Sequence, residues 1–394
     1  MKPNQRILSI DVLRGITILV MIFVNEAAGV RELPAWMKHM PADADAMSFV
    51  DMVFPSFLFI VGMSVPFAIN NRLQKGDSFW QLQWHILFRT LGLLTLGFFM
   101  VNAEEGINAA ATGMPGNVWS FLFYVCVVLI WNIYSFKNKW ITYLLKAAGI
   151  AGLVILAIIY RSGADGKEHM QPHWWGILGL IGWAYLYACI FYQLLKGNAI
   201  GLFLVMILCS CFYMIANTHS LVEKYSLQWM SSQAGNAAHT SLVLAGMVLA
   251  RIFFNEKNEP VSKRYTKAFL FTVFLLVAGY FFRPYFKISK IYATPTWCYY
   301  SAAACCIIFM ILHWLIDIKG RNKWTAFFKP AATNPLLTYI IPAFLYALLG
   351  ILHIRIFPQR LMYGMPGILY ALFFAIAVMY LVKGLNKLKI KLQL

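Results

Sequence analysis

Residues 6–15 read RILSIDVLRG, an apolar run carries the chain on to Val24-Asn25, and residues 51–64 read DMVFPSFLFIVGMS. Each stretch is apolar over about the 20 residues that a bilayer core demands of a helix. The polar segment between them holds Trp36 and His39. The pair therefore reads as two membrane helices joined by a short loop that carries an imidazole. Asp11, Arg14 and Asn25 stand inside the first run. Such groups are costly in hydrocarbon, so their presence is a functional hypothesis by default.

Outward from this hairpin the same pattern repeats. Apolar runs centre on 8–28, 48–70, 84–102, 117–135, 140–160, 174–195, 198–216, 238–254, 267–283, 297–316, 333–350 and 365–383. The reading is an all-α, polytopic integral membrane protein of 11–12 transmembrane helices, with 140–160 and 198–216 the weakest spans. The chain is 61% hydrophobic and only 12% charged, a composition foreign to soluble domains of 394 residues. No long connection leaves room for a soluble module, so residues 1–394 read as a single transmembrane domain. The net charge of +18 would suggest nucleic acid in a soluble chain. Here no basic face is interleaved with aromatics, and nucleic acid is not expected as a partner. The basic residues, among them Lys137, Lys139, Lys257, Lys263, Arg264, Lys319, Arg321, Lys323 and Lys387, gather in alternate loops. By the positive-inside rule this puts both termini in the cytoplasm and the His39 loop outside. Asp11 and Arg14 interrupt the first run and Glu26-Ala27-Ala28 is a poor cleavage site, so the first span is expected to stay uncleaved.

Several residues carry candidate chemistry. On a helix of 100° per residue, Arg14 and Asn25 share one stripe about 16 Å apart along the axis. Asp11 and Arg14 are either an i,i+3 pair that neutralises itself or part of a polar path along that stripe, and Asn25 is either glue between helices or part of the same path. His39 is followed by Asp43, Asp45 and Asp51. A carboxylate beside an imidazole fixes its tautomer and raises its basicity, as a general base requires. Asp51 also opens the second span, where an acid suits a helix N-terminus. His169, His173, Trp174 and Trp175 lie in one further polar loop, Asn217, His219, Gln233, Asn236 and His239 in another, and Arg283, Ser289, Lys290 and Trp297 in a third. Together they would furnish a vestibule of hydrogen-bonding groups and rings, or they are ordinary wet loops. The His169–His173 spacing has no third ligand, so no metal is expected. On the other side, Arg72, Arg89, Lys323, Lys329 and Asn334-Pro335 flank span ends. Arginine forks there would suit phosphates, although anionic lipid and plain topology explain such residues equally. The seven cysteines lie mostly within apolar runs without C-x-x-C spacing and read as packing. No phosphate-binding glycine loop is present, which removes support for ATP-driven transport.

Taken in order, RILSIDVLRG, VNEAAG, the KH pair with SFVDMVFPSFLFIVGMS, HWWGILGLIGW, HTSLVLAG, ISKIYATPTW and NPLLTY resemble the heparan-α-glucosaminide N-acetyltransferase family and its bacterial, DUF5009-type transmembrane members. The resemblance implies transfer of acetyl from cytosolic acetyl-CoA to the amine of a glucosamine-type sugar across a bacterial inner membrane. It implies His39, Asn25 and Asp51 as catalytic residues. On that reading Asp11, Arg14, Arg72, Arg89 and Asn334 would attend acetyl-CoA, and Trp36, Trp174, His239 and Lys290 the amino-sugar. A homodimer is the assembly it suggests. The sequence departs from the family pattern between His39 and Asp51, where MPADADAM stands, and after Asn25, where Glu26-Ala27-Ala28-Gly29 replaces a glycine-rich stretch. Alternatives are a secondary transporter of a sugar or lipid-linked intermediate, which would be expected to show repeats, and an O-acyltransferase acting on a cell-envelope glycan.

Overall fold

A computed structural model describes residues 7–218, 222–223, 225–254, 259–354 and 358–394. Arg6, His219 and Lys257 lie outside the described residues. Twelve apolar helices order the chain: α1 (Leu8–Ala27), α2 (Val53–Gln74), α3 (Phe79–Glu105), α4 (Gly116–Trp131), α5 (Lys139–Ile159), α6 (Gly176–Leu194), α7 (Ala199–Ala216), α8 (Gln228–Phe254), α9 (Val261–Phe286), α10 (Pro295–His313), α11 (Pro335–Ile351) and α12 (Gly364–Lys387). Ten segments among the described residues are long and apolar enough to cross a membrane, and α4 and α11 are shorter apolar helices. Pairing in the described residues is limited to isolated bridges, as hydrocarbon demands of a chain whose backbone must satisfy itself within helices. The protein is thus an all-α, multi-pass membrane protein.

The ends of the helices follow local rules. Asn138, Asn198 and Thr294 each accept a backbone N–H of the first turn of the helix they precede. Pro295 and Pro335 occupy first-turn positions where no donor is needed. The spans expected to be weakest, 140–160 and 198–216, are complete helices, and the short ones are the fourth and eleventh. Several helices also outrun their apolar windows. The largest difference is α8, which starts at Gln228 rather than near 238. His239, read as a loop residue, therefore lies inside a helix. A hydropathy window stops where side chains become polar, whereas backbone hydrogen bonding continues through Gln228–Asn236 because no proline interrupts it.

The chain divides into two compact units. The first comprises the chain up to Thr17, Pro34–Thr90 and Leu180–Ala326. Its centre is α8, packed on α2, α7 and α10. In α8, 78% of the apolar window is buried within the protein, against 17% in α5, so α8 is core and α5 offers its side chains to lipid. The α2–α8 contact is backbone on backbone. A Cβ at Gly62 would stand 1.8 Å from the Val243 carbonyl oxygen, and one at Gly246 would stand 2.0 Å from that of Phe59. Small residues permit this approach, which is how helices associate where no hydrophobic force acts between them.

The second unit comprises Ile18–Leu33, Leu91–Gly179 and Phe327–Leu394. Here α4 packs on α5 and α11. Phe99 stacks on Trp119 and Phe123, and the Trp119 Nε1 donates to the Leu156 carbonyl at 3.0 Å. Fully buried Asn334 ties down the C-terminal segment. Its Nδ2 donates to Asn386 Oδ1 (2.8 Å) and to the Ile390 carbonyl (3.0 Å), and its Oδ1 accepts from Leu392 N (3.1 Å).

Candidate functional site

In the first unit the chain from Pro34 to Met52 is brought to order by one carboxylate. Asp51 sits in a 3₁₀ turn, Val50–Met52, that leads into α2. Its side chain is 1% exposed and both oxygens are engaged. Oδ2 accepts from Ser48 N (3.0 Å), Met40 N (3.2 Å) and Ser48 Oγ (3.3 Å), while Ser48 Oγ accepts from Val50 N. This Ser-x-x-Asp reciprocity is the hydrogen-bonding logic of a capping box at the start of a helix. Oδ1 is left for His39, whose Nδ1 lies 2.7 Å away. An ionised carboxylate can only accept, so the Nδ1 carries the proton and the Nε2 keeps its lone pair. Asp51 thus ties the chain ahead of α2 with one oxygen and holds the imidazole with the other.

The third group at this point is Lys290, from the loop between α9 and α10. Its Nζ is 3.2 Å from His39 Nδ1 and 3.4 Å from Nε2. The two ring nitrogens flank a single carbon, so a nitrogen nearly equidistant from both lies off the ring plane and points down neither lone pair. The Lys290 ammonium is therefore a charge laid against the ring, and the Nε2 lone pair stays open in the plane. Burial pulls the Lys290 pKa below the usual lysine range, and the Asp51 carboxylate offsets part of this.

The lysine loop is fastened from below. Arg283 Nε donates to Asp45 Oδ2 (2.9 Å), Ile288 N to Asp45 Oδ1 (2.8 Å) and Ser289 Oγ to the Ala42 carbonyl (2.6 Å). Burial alone would raise the Asp45 carboxyl, but the Arg283 contact, the Ile288 N–H and the charge of Lys287 hold it below the usual carboxylate range. A second tie reaches Asp51 itself, because the fully buried Trp297 donates its Nε1 to the Asp51 carbonyl at 3.1 Å. Trp297 and Phe54 both meet the ring of His239 edge-on, with centroids 6.4 and 5.2 Å away. His239 is 6% exposed and its Nδ1 has no hydrogen-bond partner among the described residues. Trp36 is exposed and approaches Phe49 with ring centroids 5.6 Å apart.

The basic residues expected to serve phosphates have separate places in this unit. Arg14 pairs with Asp11 at 3.1 Å and donates to Ser64 Oγ on α2 at 2.7 Å, a tie between helices. Arg72 is paired with Asp77 at 2.6 Å. Arg89 lays its guanidinium over the Tyr185 ring at 4.9 Å, and its buried Nε has no hydrogen-bond partner among the described residues.

The second unit contains a cavity of about 350 Å³. Asn25 from the end of α1, Glu104 from the end of α3, Trp174 from the loop before α6, and Tyr339 from α11 all line it. Sequence reasoning found Asn25 and Trp174 but passed over Glu104 and Tyr339, since an acid in a helix-end Glu-Glu pair and a tyrosine in an apolar helix carry no local signal. Ser48 was also passed over, although its spacing to Asp51 ahead of an apolar run is a readable cue. Nearby in this unit the Tyr346 hydroxyl donates to Glu26 Oε1 at 2.5 Å and contacts the Tyr370 hydroxyl at 3.3 Å.

Comparison with known proteins agrees with the resemblance seen in the motifs. The human heparan-alpha-glucosaminide N-acetyltransferase is 36% identical over 98 residues, which is 25% of this chain and 14% of that protein. The mouse protein of the same name is 33% identical over 99 residues, with the same shares. The matched stretch thus spans only a small part of the length of these relatives. The model of the family described as "Domain of unknown function (DUF5009)" matches residues 6–233, well over half of the 394. The chain belongs to the DUF5009 family.

Proposed function

We propose that the protein is a transmembrane acetyltransferase that moves acetyl from acetyl-CoA to the amine of a glucosamine-type sugar, with His39 as general base. The observation that carries this reading is the 2.7 Å contact of His39 Nδ1 with the buried, otherwise saturated Asp51 carboxylate. It leaves Nε2 as the ring nitrogen not held by the carboxylate, able to take a proton. Buried carboxylate, imidazole and an open ring nitrogen form the arrangement that general-base chemistry needs.

In the reaction the sugar amine attacks the thioester carbonyl while His39 Nε2 takes its proton. The N–C bond forms, the C–S bond breaks, and the imidazolium returns the proton to the departing thiolate. Lys290, a cation against the ring, opposes a standing second charge there and offers a counter-charge to the oxyanion. Direct transfer is preferred to an acetyl-histidine intermediate because a thioester is already activated. Arg72 and Arg89 are assigned to the nucleotide end of acetyl-CoA, and Asp11 and Arg14 to its pantetheine arm. For Arg89 the support is a buried Nε without a hydrogen-bond partner among the described residues. The even number of spans and the basic loops support cytoplasmic termini in a bacterial inner membrane, with His39 on the far side.

Membranes bearing His39→Ala are expected to lose transfer of labelled acetyl from acetyl-CoA to glucosamine while keeping normal expression. Full activity in that variant removes His39 from the mechanism. Mass spectrometry of the product distinguishes an amide from an ester, and an ester would reassign the acceptor to a hydroxyl.

A further inference from the structure

We propose that one end of the second unit, formed by the α4–α5 connection and the segment after α12, is a docking surface for acidic phospholipid. Its lysines face the headgroups and its exposed rings and aliphatic side chains enter the acyl layer. Charge points there first. Lys137 and Lys139 around the start of α5, and Lys387, Lys389 and Lys391 at the close of α12, are all exposed, and none has an ion pair among the described residues. Residues 106–164 and 318–394 contain no Asp or Glu, and the acids nearest along the chain to the α4–α5 connection, Glu105 and Asp165, lie beyond the opposite ends of α4 and α5. The first unit treats its cations differently: Glu259 takes Lys267 at 2.6 Å and Lys263 at 3.7 Å, and Asp77 takes Arg72. Crowded like charges repel, so the counter-charge for these five lysines has to come from outside the chain.

Two segments far apart in sequence are tied into this one surface. The chain after α12 runs antiparallel to the chain after α4. Ile133 N donates to the Lys391 carbonyl (2.9 Å), Lys391 N to Asn132 Oδ1 (2.9 Å) and Gln393 N to the Trp131 carbonyl (2.9 Å). Helix α12 ends in a Schellman motif, with Ile390 N on the Leu385 carbonyl (3.0 Å) and Lys389 N on that of Asn386 (3.2 Å). The left-handed position of that motif is the usual place of glycine, yet here it holds Lys389 at φ 63. Lys139 is the first residue of α5, behind the Asn138 cap, where the helix dipole opposes a cation. Lysines that the local backbone disfavours point to a ligand outside the chain that favours them.

The side chains between the lysines select lipid among anions. Trp140 is 78% exposed and Leu388 71%, and Phe136 and Tyr143 are exposed beside them. Helix α5, which Trp140 opens, leaves most of its apolar window unburied by protein. A tryptophan at the end of a lipid-facing helix sits at headgroup level. Lysine stems lie along apolar surface while the ammonium reaches the phosphate layer. Lysine is also a point charge without the bidentate fork of arginine, and no arginine stands in 132–148 or 383–394. That composition suits a layer of anionic headgroups rather than one fixed phosphate.

Equilibrium binding of phosphatidylglycerol and of phosphatidylcholine to the purified full chain in neutral detergent tests this, with no acetyl donor present. Phosphatidylglycerol should bind more tightly, and added salt should erase the difference. A lysine at an anionic lipid surface is worth about fivefold in affinity, so Lys387→Gln, Lys389→Gln and Lys391→Gln combined should weaken phosphatidylglycerol by about tenfold or more and leave phosphatidylcholine unchanged. Lys263→Gln with Lys267→Gln, in the first unit, should keep the preference. Equal affinity of the unmodified protein for the two lipids, a comparison that needs no variant, overturns the proposal. So does an unaltered preference in the folded triple variant. An equal loss in the Lys263→Gln, Lys267→Gln protein would make net charge the determinant and overturn it as well. A single-stranded oligonucleotide bound more tightly than phosphatidylglycerol, and released by the same triple substitution, would assign the surface to nucleic acid instead.

Discussion

Replacing Asp51 by Asn tests the site with almost no change of shape. The amide has one acceptor and one donor where the carboxylate had two acceptors. Placed toward Met40 N and Ser48 N, the new NH₂ would face two backbone donors in a buried position, so those N–H groups select the amide oxygen. The NH₂ is then turned toward His39 Nδ1, 2.7 Å from where Oδ1 stood. It donates, Nδ1 must accept, and the ring proton moves to Nε2, the nitrogen that has to be empty for catalysis. The same tautomer reversal underlies the large effect of an Asp-to-Asn change in serine-protease triads, and general-base catalysis is worth about 10²–10⁴ in rate. We therefore expect kcat for acetyl transfer to fall by about 10²–10⁴, or roughly 3–5 kcal/mol of barrier, with KM for both substrates little changed. The assay is steady-state transfer from labelled acetyl-CoA to glucosamine by purified protein, alongside thermal unfolding in detergent. Retained kcat in a folded Asp51→Asn protein refutes the tautomer argument. A rise in KM with kcat unchanged would make the Asp51–His39 pair a binding element instead.

Three further outcomes follow from the geometry. Gly62→Ala should lower the unfolding temperature sharply, with a cost at or above the top of the usual 1–3 kcal/mol for overpacking, because the obstacle is the Val243 carbonyl 1.8 Å away and backbone has no rotamer to yield; an unchanged unfolding temperature would remove the close α2–α8 contact. Burial lowers the Lys290 pKa beneath the 10.5 of an unfolded lysine, so between those values the unfolded chain holds more protons and folded stability rises with pH. Lys290→Met should abolish that alkaline rise in thermal stability, and a rise that persists would show the ammonium to be solvated. Asp45 gives a slope of the same sign at acid pH: its lowered pKa contributes stability above the ordinary carboxylate value of 3.8, lost as the pH falls through the folded pKa. Asp45→Asn should cost less than about 1 kcal/mol at neutral pH yet speed amide exchange at Ile288, and unaltered exchange there would mean the loop is held without it.

The apolar helices, their membrane setting and the polar hairpin around His39 were legible because they are properties of composition and period. A helix in lipid must be apolar for about 20 residues whatever it packs against. The pairing of His39 with Asp51 was half legible, since both lie on one short segment and the Ser48–Asp51 spacing is local. What the sequence could not decide is which residues from distant segments meet. Lys290 stands 251 positions from His39 yet touches its ring, and Arg283 pins Asp45 from 238 positions away. Asn334, expected beside a cofactor, is fully buried with its amide engaged by Asn386, Ile390 and Leu392. Glu104 and Tyr339 gain meaning only because α3 and α11 converge on one cavity with Trp174. Hydropathy is a sum over neighbours along the chain, so the sequence alone determined what lies in the membrane and where the helices run. Ion pairs, ring contacts and cavities depend on side chains that meet through packing, so only the tertiary structure decided which of the candidate groups share a site.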